Sequence, residues 1–189
     1  MLRAGQNALH PDSLMKISTW NINGIKARLD GLLTWLEQAK PDVACLQEIK
    51  SIDENFPSER FEELGYNVAV HGQKSFNGVA ILSKKPFDEI IKGLPGDDSD
   101  DHARYLEVVI STDSGVVRVA SIYLPNGNPV ELTPEGAPVL GSKYDFKLKW
   151  FARLEARARA LMYIAMETPI TKRRAREVTN PSFTNISSP

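Results

Sequence analysis

Cysteine is nearly absent: Cys45 stands alone in 189 residues, so no internal disulfide can form. Three histidines, at positions 10, 71 and 102, add too few ligands for a structural zinc site. A reducing, cytoplasmic setting is the expectation. No apolar run approaches the ~20 residues needed to span a membrane. Neither charge is in excess: Lys plus Arg is 23 and Asp plus Glu is 24, a formal net charge of −1. That excludes an overall electrostatic grip on nucleic acid, though not a local basic patch. With 42% hydrophobic and 25% charged residues, the chain can build a core and is no disordered polymer. One domain of residues 15–166 is expected. Residues 1–14, with one basic residue and no long apolar stretch, read as an unstructured extension rather than a secretory signal. Met15, where the pattern begins, is the expected start.

The pattern alternates strands and helices. Lys16 to Trp20 predicts a strand running into the turn cluster Asn21-Ile22-Asn23-Gly24. Leu29, Leu32, Leu33 and Leu36 mark one face of a helix that Pro41 ends, and residues 42–46 (DVACL) predict a second strand. A helix over 57–64 follows, then strands over 66–70, 78–82 and 87–91. Residues 105–110 and 116–123 read as a strand pair around the turn Thr112-Asp113-Ser114-Gly115. Residues 125–142, rich in Pro and Gly, predict a long loop that is either functional or disordered. A helix over 143–166 carries Phe146, Trp150, Leu154, Leu161 and Ala165 as its apolar stripe. Residues 167–189 lose all periodicity and read as a disordered tail. The order points to α/β layering around a covered sheet.

Charge is unevenly spread. Residues 95–102 are acidic, whereas 143–176 carry ten Lys or Arg against three Asp or Glu. Solvated surfaces are the default account. A phosphate-facing basic edge beside an acidic flap is the sharper one.

Two segments place polar residues just beyond short buried strands, where α/β sheets build sites. They are Trp20-Asn21-Ile22-Asn23-Gly24 and Leu46-Gln47-Glu48-Ile49-Lys50. If the strands are parallel neighbours, Asn21 and Glu48 emerge side by side, and a carboxylate with an amide oxygen suits Mg²⁺. Singly, each residue would read as a turn or strand end.

The segments STWNINGIKAR, PDVACLQEIK, LGYNVAVHGQKSFNGVAILSK, GLPGDD and IYLPNG, in that order, closely resemble the exonuclease III family of the endonuclease/exonuclease/phosphatase superfamily. The resemblance implies a sandwich of two sheets flanked by helices, of α+β type. It implies Mg²⁺- or Mn²⁺-dependent incision at abasic sites and 3′-to-5′ exonuclease action on duplex DNA, by a monomer without sequence preference. It assigns metal binding to Glu48 and Asn21, and makes Tyr123 the phenol at the scissile phosphate. Arg104, Asn126 and Lys143 become contacts to the DNA backbone. His71 reads as a structural histidine, and His102 as part of an acidic, solvated loop.

The family's later Gly-Asp-x-Asn and Ser-Asp-His segments have no match here, so the evident general base is missing. The expectation is a truncated first half, its tail read from another frame. The second sheet would then be largely lost and one face of the first left bare. A non-catalytic fragment and a phosphatase acting on a small phosphoester are the alternatives.

Overall fold

Runs of β-branched and apolar residues broken by Gly, Asn and Pro become the strands. The structure is a computed structural model that describes residues 15–167, with side chains through Met162. Its strands are β1 (Ile17–Asn21), β2 (Val43–Gln47), β3 (Asn67–His71), β4 (Val79–Ser83), β5 (Glu89–Lys92), β6 (Tyr105–Thr112) and β7 (Gly115–Ile122). Its helices are α1 (Ile25–Ala39), α2 (Ser58–Glu62) and α3 (Lys143–Glu167). The elements fall where the pattern placed them. The extension before Met15 and the tail beyond Glu167 lie outside the described residues.

The first sheet has the order β1-β2-β4-β3, with β1 and β2 parallel and the other pairs antiparallel. Helix α1 makes the crossover that two parallel strands require. Its Leu32 and Leu36 bury against Ala44, Leu46, Ala80 and Leu82, with Phe56 and Phe61 closing the same layer. Fully burying one such leucine contributes about 1.5–3 kcal/mol. Strands β2 and β4 are buried at every position, because both of their faces are covered.

The expected bare face is a correction. Strands β5-β6-β7 form a second sheet within this chain. Leu106, Val108, Ile110 and Val119 pack on Val43, Cys45, Ala69, Val79 and Ile81. Hydrophobic periodicity identifies strands but not the sheet they join, and so it missed this cover. The cover stops short of β1, where only Ser18 is even half-buried.

Helix α3 lies on the outer face of the second sheet, with Trp150 buried beside Tyr105 and Leu94. Leu161 is half-buried, and the side chain of Ala165 lies outside the described residues. The helix start is capped reciprocally: Ser142 Oγ accepts from Asp145 N–H at 3.1 Å, and Asp145 Oδ2 accepts from Gly141 N–H at 2.9 Å. Buried Glu107 on β6 accepts from Arg157 of α3 and from Arg118 of β7, each at 2.6 Å, and from Tyr105. The acidic flap is clipped to the same helix. Arg153 pairs with Asp97 at 3.3 Å and with Asp100.

Candidate active site

The parallel pairing of β1 and β2 sets Asn21 opposite Gln47, so that Asn21 and Glu48 leave the sheet together. Glu48 then enters a turn in the left-handed region, with φ of 53°. Lys50 (51°) and Asn23 (47°) share that conformation. Each non-glycine residue so held costs on the order of 1–3 kcal/mol, and such strain gathers at functional sites. Neighbouring backbone holds the turn. Gly24 N–H and Ile25 N–H, at the start of α1, donate to the carbonyls of Glu48 (2.7 Å) and Ile49 (3.0 Å). Those amides would otherwise be orphaned, because α1 has no side-chain cap. On the other side, Ile49 and Lys50 N–H donate to Gly78 and Asn77 carbonyls, each at 3.1 Å. Gly78 has φ of 82°, and a Cβ there would meet Ile49 at 2.5 Å, so only glycine fits.

Three donors converge on the Glu48 carboxylate. Asn21 Nδ2 donates to Oε1 at 2.7 Å, Lys50 Nζ lies 3.4 Å from Oε2, and the Tyr123 hydroxyl lies near enough to help lower the carboxyl's pKa. Asn21 above all, then Tyr123 and Lys50, outweigh burial and hold the carboxyl below the usual carboxylate range. Burial, and then the adjacent carboxylate, push the Tyr123 phenol up, so it stays a donor near neutral pH. Lys50 also donates to Asn23 Oδ1 at 2.5 Å. Lys50 and Asn23 are site residues that the pattern did not single out, although both lie in the motifs that did stand out. Their short side chain and lone charge next to Glu48 are the available signal.

Asn21 is fixed at both ends of its amide. Its oxygen accepts from Asn23 N–H at 3.2 Å, which turns its nitrogen toward Glu48. In this arrangement it is the donor that orients the carboxylate. Arg104 also faces inward. Its guanidinium lies 5.0 Å from the Tyr123 ring centroid and donates to the Leu124 carbonyl at 3.2 Å. Burial lowers its pKa, and Nε has no partner. This geometry positions Tyr123. Asn126 is exposed, and its Oδ1 accepts from Asn128 N–H at 3.0 Å. Lys143 is exposed as the first residue of α3. Neither touches the Glu48 cluster through a hydrogen bond among those described.

His71 is half-buried, and burial lowers its pKa. His102 Nδ1 lies 2.9 Å from Asp100 Oδ1, with its ring 5.0 Å from that of Phe146. Neither hydrogen-bonds to Glu48 among the described residues. Among the described residues, no second carboxylate or histidine hydrogen-bonds to Asn21, Glu48 or Tyr123. No three His, Cys, Asp or Glu residues among them gather to hold a metal.

A strand-end carboxylate held by an amide, with a phenol beside it, on two packed sheets flanked by helices, agrees with the comparisons to known proteins. The model of the endonuclease/exonuclease/phosphatase family matches residues 18–163, and the chain belongs to that family. Over 113 residues it is 43% identical to exodeoxyribonuclease III of Haemophilus influenzae, a match covering 60% of this chain and 42% of that protein. Among solved structures, a Neisseria 3′ phosphatase, NExo, bound to a product DNA hairpin matches with a TM-score of 0.69 at 33% identity. That match covers 79% of this chain and 53% of the other. An AP endonuclease from Archaeoglobus fulgidus matches with a TM-score of 0.62 at 33% identity, covering 75% and 49%. The chain thus spans about half the length of the relatives it matches.

Proposed function

We propose that this chain carries the phosphate-cutting site of a DNA-repair nuclease. Its reactions would be incision at abasic sites and 3′-to-5′ degradation of duplex DNA. The observation that carries the reading is the Glu48 carboxylate, kept ionised by Asn21, Tyr123 and Lys50 at the ends of three elements. The relatives named for exodeoxyribonuclease and AP endonuclease activity support it.

Mg²⁺ or Mn²⁺ fits this donor set. A single ionised carboxylate open to solvent, without thiolate or imidazole, suits a hard cation that keeps waters and takes substrate oxygens. Glu48 would hold it, with Asn21 fixing the carboxylate. Such an ion supplies Lewis-acid polarisation of a phosphoryl oxygen. The chain's own residues do the rest. Tyr123 donates to a phosphate oxygen where charge develops, and the Arg104 guanidinium holds its ring. Lys50 adds positive charge beside the carboxylate. Exposed Asn126 and Lys143 would meet the backbone of duplex DNA, reading no sequence. A reducing cytoplasm is part of this reading, in keeping with the buried Cys45 thiol, whose pKa burial pushes up to about 11.

The test is a duplex with one abasic site, incubated with the chain and Mg²⁺, with chelator, and with Glu48→Ala. Metal-dependent cutting that Glu48→Ala abolishes is expected. One observation favours a second reading, a non-catalytic half: no carboxylate or histidine besides Glu48 hydrogen-bonds within the cluster among the described residues. Metal-dependent DNA binding without cutting would select it. Hydrolysis of a small phosphoester in place of duplex cutting would move the substrate class.

A further inference from the structure

Gln47 ends β2 with its side-chain amide inside the sandwich. Val43 and Cys45 pack against the second sheet, and alternation along the strand puts Gln47 on the same face. The first two are apolar, whereas Gln47, 8% exposed, brings a polar group into that layer. Burying an amide costs free energy unless its hydrogen bonds are made, so an aliphatic side chain would fill the layer without that cost. Here the bonds are made. Gln47 Nε2 donates to Thr19 Oγ1 on β1 at 3.0 Å and to Ser121 Oγ on β7 at 3.1 Å. The Thr19 hydroxyl donates in turn to Gln47 Oε1 at 3.2 Å. Ser121 is fully buried and donates to the Leu46 carbonyl at 3.1 Å.

The two bonds of Ser121 cross from one sheet to the other. Among the described residues, no other hydrogen bond joins a strand of the first sheet to a strand of the second. The rest of that interface is apolar packing, which attracts without fixing a direction. A hydrogen bond, with its narrow range of length and angle, does fix one. The amide also sits directly beneath the site. Asn21 lies two residues beyond Thr19, Tyr123 two beyond Ser121, and Glu48 one beyond Gln47. A step of two keeps a side chain on its face and carries it about 7 Å along the strand. Tyr123 continues the β7 ladder, since its N–H donates to the Arg104 carbonyl at 2.8 Å. Thr19, Gln47 and Ser121 thus form the layer on which Asn21, Glu48 and Tyr123 stand.

Glu48 follows a strand of the first sheet and Tyr123 a strand of the second, so the spacing of carboxylate and phenol is a spacing between sheets. We propose that Gln47 is a positioning residue. Bonded to Ser121, it locks the two sheets in register and so sets the span between Glu48 and Tyr123 across which a phosphate group is held. The phosphate part rests on the nuclease reading, and the locking does not. The side chain of Gln47 bonds to Thr19 and Ser121 rather than to Asn21, Glu48 or Tyr123. It therefore acts through the strands that carry those three residues and touches no reacting atom.

The experiment uses the full 189-residue chain with Gln47→Met, Ser121→Ala, both together, and Cys45→Ala. Gln47→Met keeps a side chain of similar length and removes its bonds. It leaves little unsatisfied, because Thr19 is open to solvent and Ser121 keeps the Leu46 carbonyl. Cys45→Ala removes packing from the same row of β2 and spares the bond. The first readout is the NMR cross-relaxation between the Tyr123 ring and the Glu48 side chain, which falls steeply with distance. It is expected to be lost in Gln47→Met and in Ser121→Ala. The double variant should lose no more, since both changes break one bond. Cys45→Ala should lower stability in urea and keep the signal. An unchanged signal in folded Gln47→Met overturns the proposal, and so does an equal loss in Cys45→Ala. If Gln47→Met fails to fold, Ser121→Ala breaks the same bond and carries the same readings. Failure of both to fold overturns the proposal, leaving Gln47 a residue of stability alone. The second readout is cutting of abasic duplex in Mg²⁺. There kcat should fall about 10–100-fold in Gln47→Met with KM nearly unchanged. An undiminished kcat beside a lost signal upholds the locking and overturns its bearing on the phosphate. A wild-type chain that does not cut counts against the nuclease reading, and the NMR signal still decides the part of Gln47.

Discussion

The amide nitrogen of Asn21 donates to Oε1 of Glu48 at 2.7 Å, across the ends of two parallel strands. The bond is a product of register. Asn21 lies opposite Gln47, one residue before the carboxylate, and a slip of one residue would turn every β1 side chain to the other face. The left-handed conformation of Glu48 then swings its carboxylate back over the end of β1 rather than onward along β2. Strand pairing, a strained turn and the first amides of α1 act together to place one ionised group.

Asn21→Ala removes the main cause of the lowered Glu48 pKa. The Glu48 carboxyl is expected to titrate higher, as followed by carboxyl carbon shifts in NMR. Mn²⁺ affinity should fall about 10–100-fold, the usual cost of losing a group that orients a ligand. An unchanged carboxyl titration would show that Asn21 does not set its charge.

Tyr123→Phe deletes one hydroxyl and keeps the ring under the Arg104 guanidinium. Loss of a single donor to developing charge typically costs about 10²–10³ in rate. Metal-dependent cutting, where measured, should fall by about that factor, with thermal stability almost unchanged. Arg104→Lys makes the contrasting case. Lysine lacks the planar fork that caps the Tyr123 ring and reaches the Leu124 carbonyl, so it should loosen Tyr123 and lower cutting without abolishing it. Equal cutting by wild type and Tyr123→Phe would remove Tyr123 from the chemistry.

Lys143 is exposed at the start of α3, in the basic stretch that follows the long loop. If it neutralises one phosphate, Lys143→Ala should reduce the slope of log K against log[salt] by about one. Duplexes of different sequence should weaken alike. A slope that stays at the wild-type value would return Lys143 to the solvated surface.

Much of this arrangement was legible in the sequence. The strands before Asn21 and Glu48 showed as short apolar runs, and the turn formers behind them showed where the polar groups emerge. The amphipathic stripe of α3 picked out Trp150, which is buried. Partnership was not legible. Nothing in the runs around 87–122 says that they form their own sheet, and so the covered face of β2 and β4 was misjudged. The orientation of Asn21 was hidden for a related reason. An asparagine offers an oxygen or a nitrogen equally well, and only the Asn23 amide decides between them. Glu48 at positive φ carries no sequence signal either, because glutamate rarely adopts that conformation without neighbours to enforce it.

Glu107 shows what a charge inside an apolar run can mean. It sits mid-strand in YLEVVIST, 1% exposed, and ties β6 to β7 and α3 through Arg118 and Arg157. Burial pushes its carboxyl up, but Arg157, Tyr105 and Arg118 together outweigh burial and hold it below the ordinary glutamate value. A carboxyl depressed in the folded state stabilises the fold above its unfolded pKa, about 4.3. That contribution fades as pH falls through the lower, folded value. Glu107→Gln should therefore destabilise the chain by about 3 kcal/mol at pH 7, because two arginines lose their buried counter-charge. The deficit should shrink as the pH is lowered below 4.3, and urea unfolding of both proteins across that range measures it. A deficit that stayed constant with pH would mean that Glu107 contributes through packing rather than charge, and that α3 is held on by Trp150 and its neighbours alone.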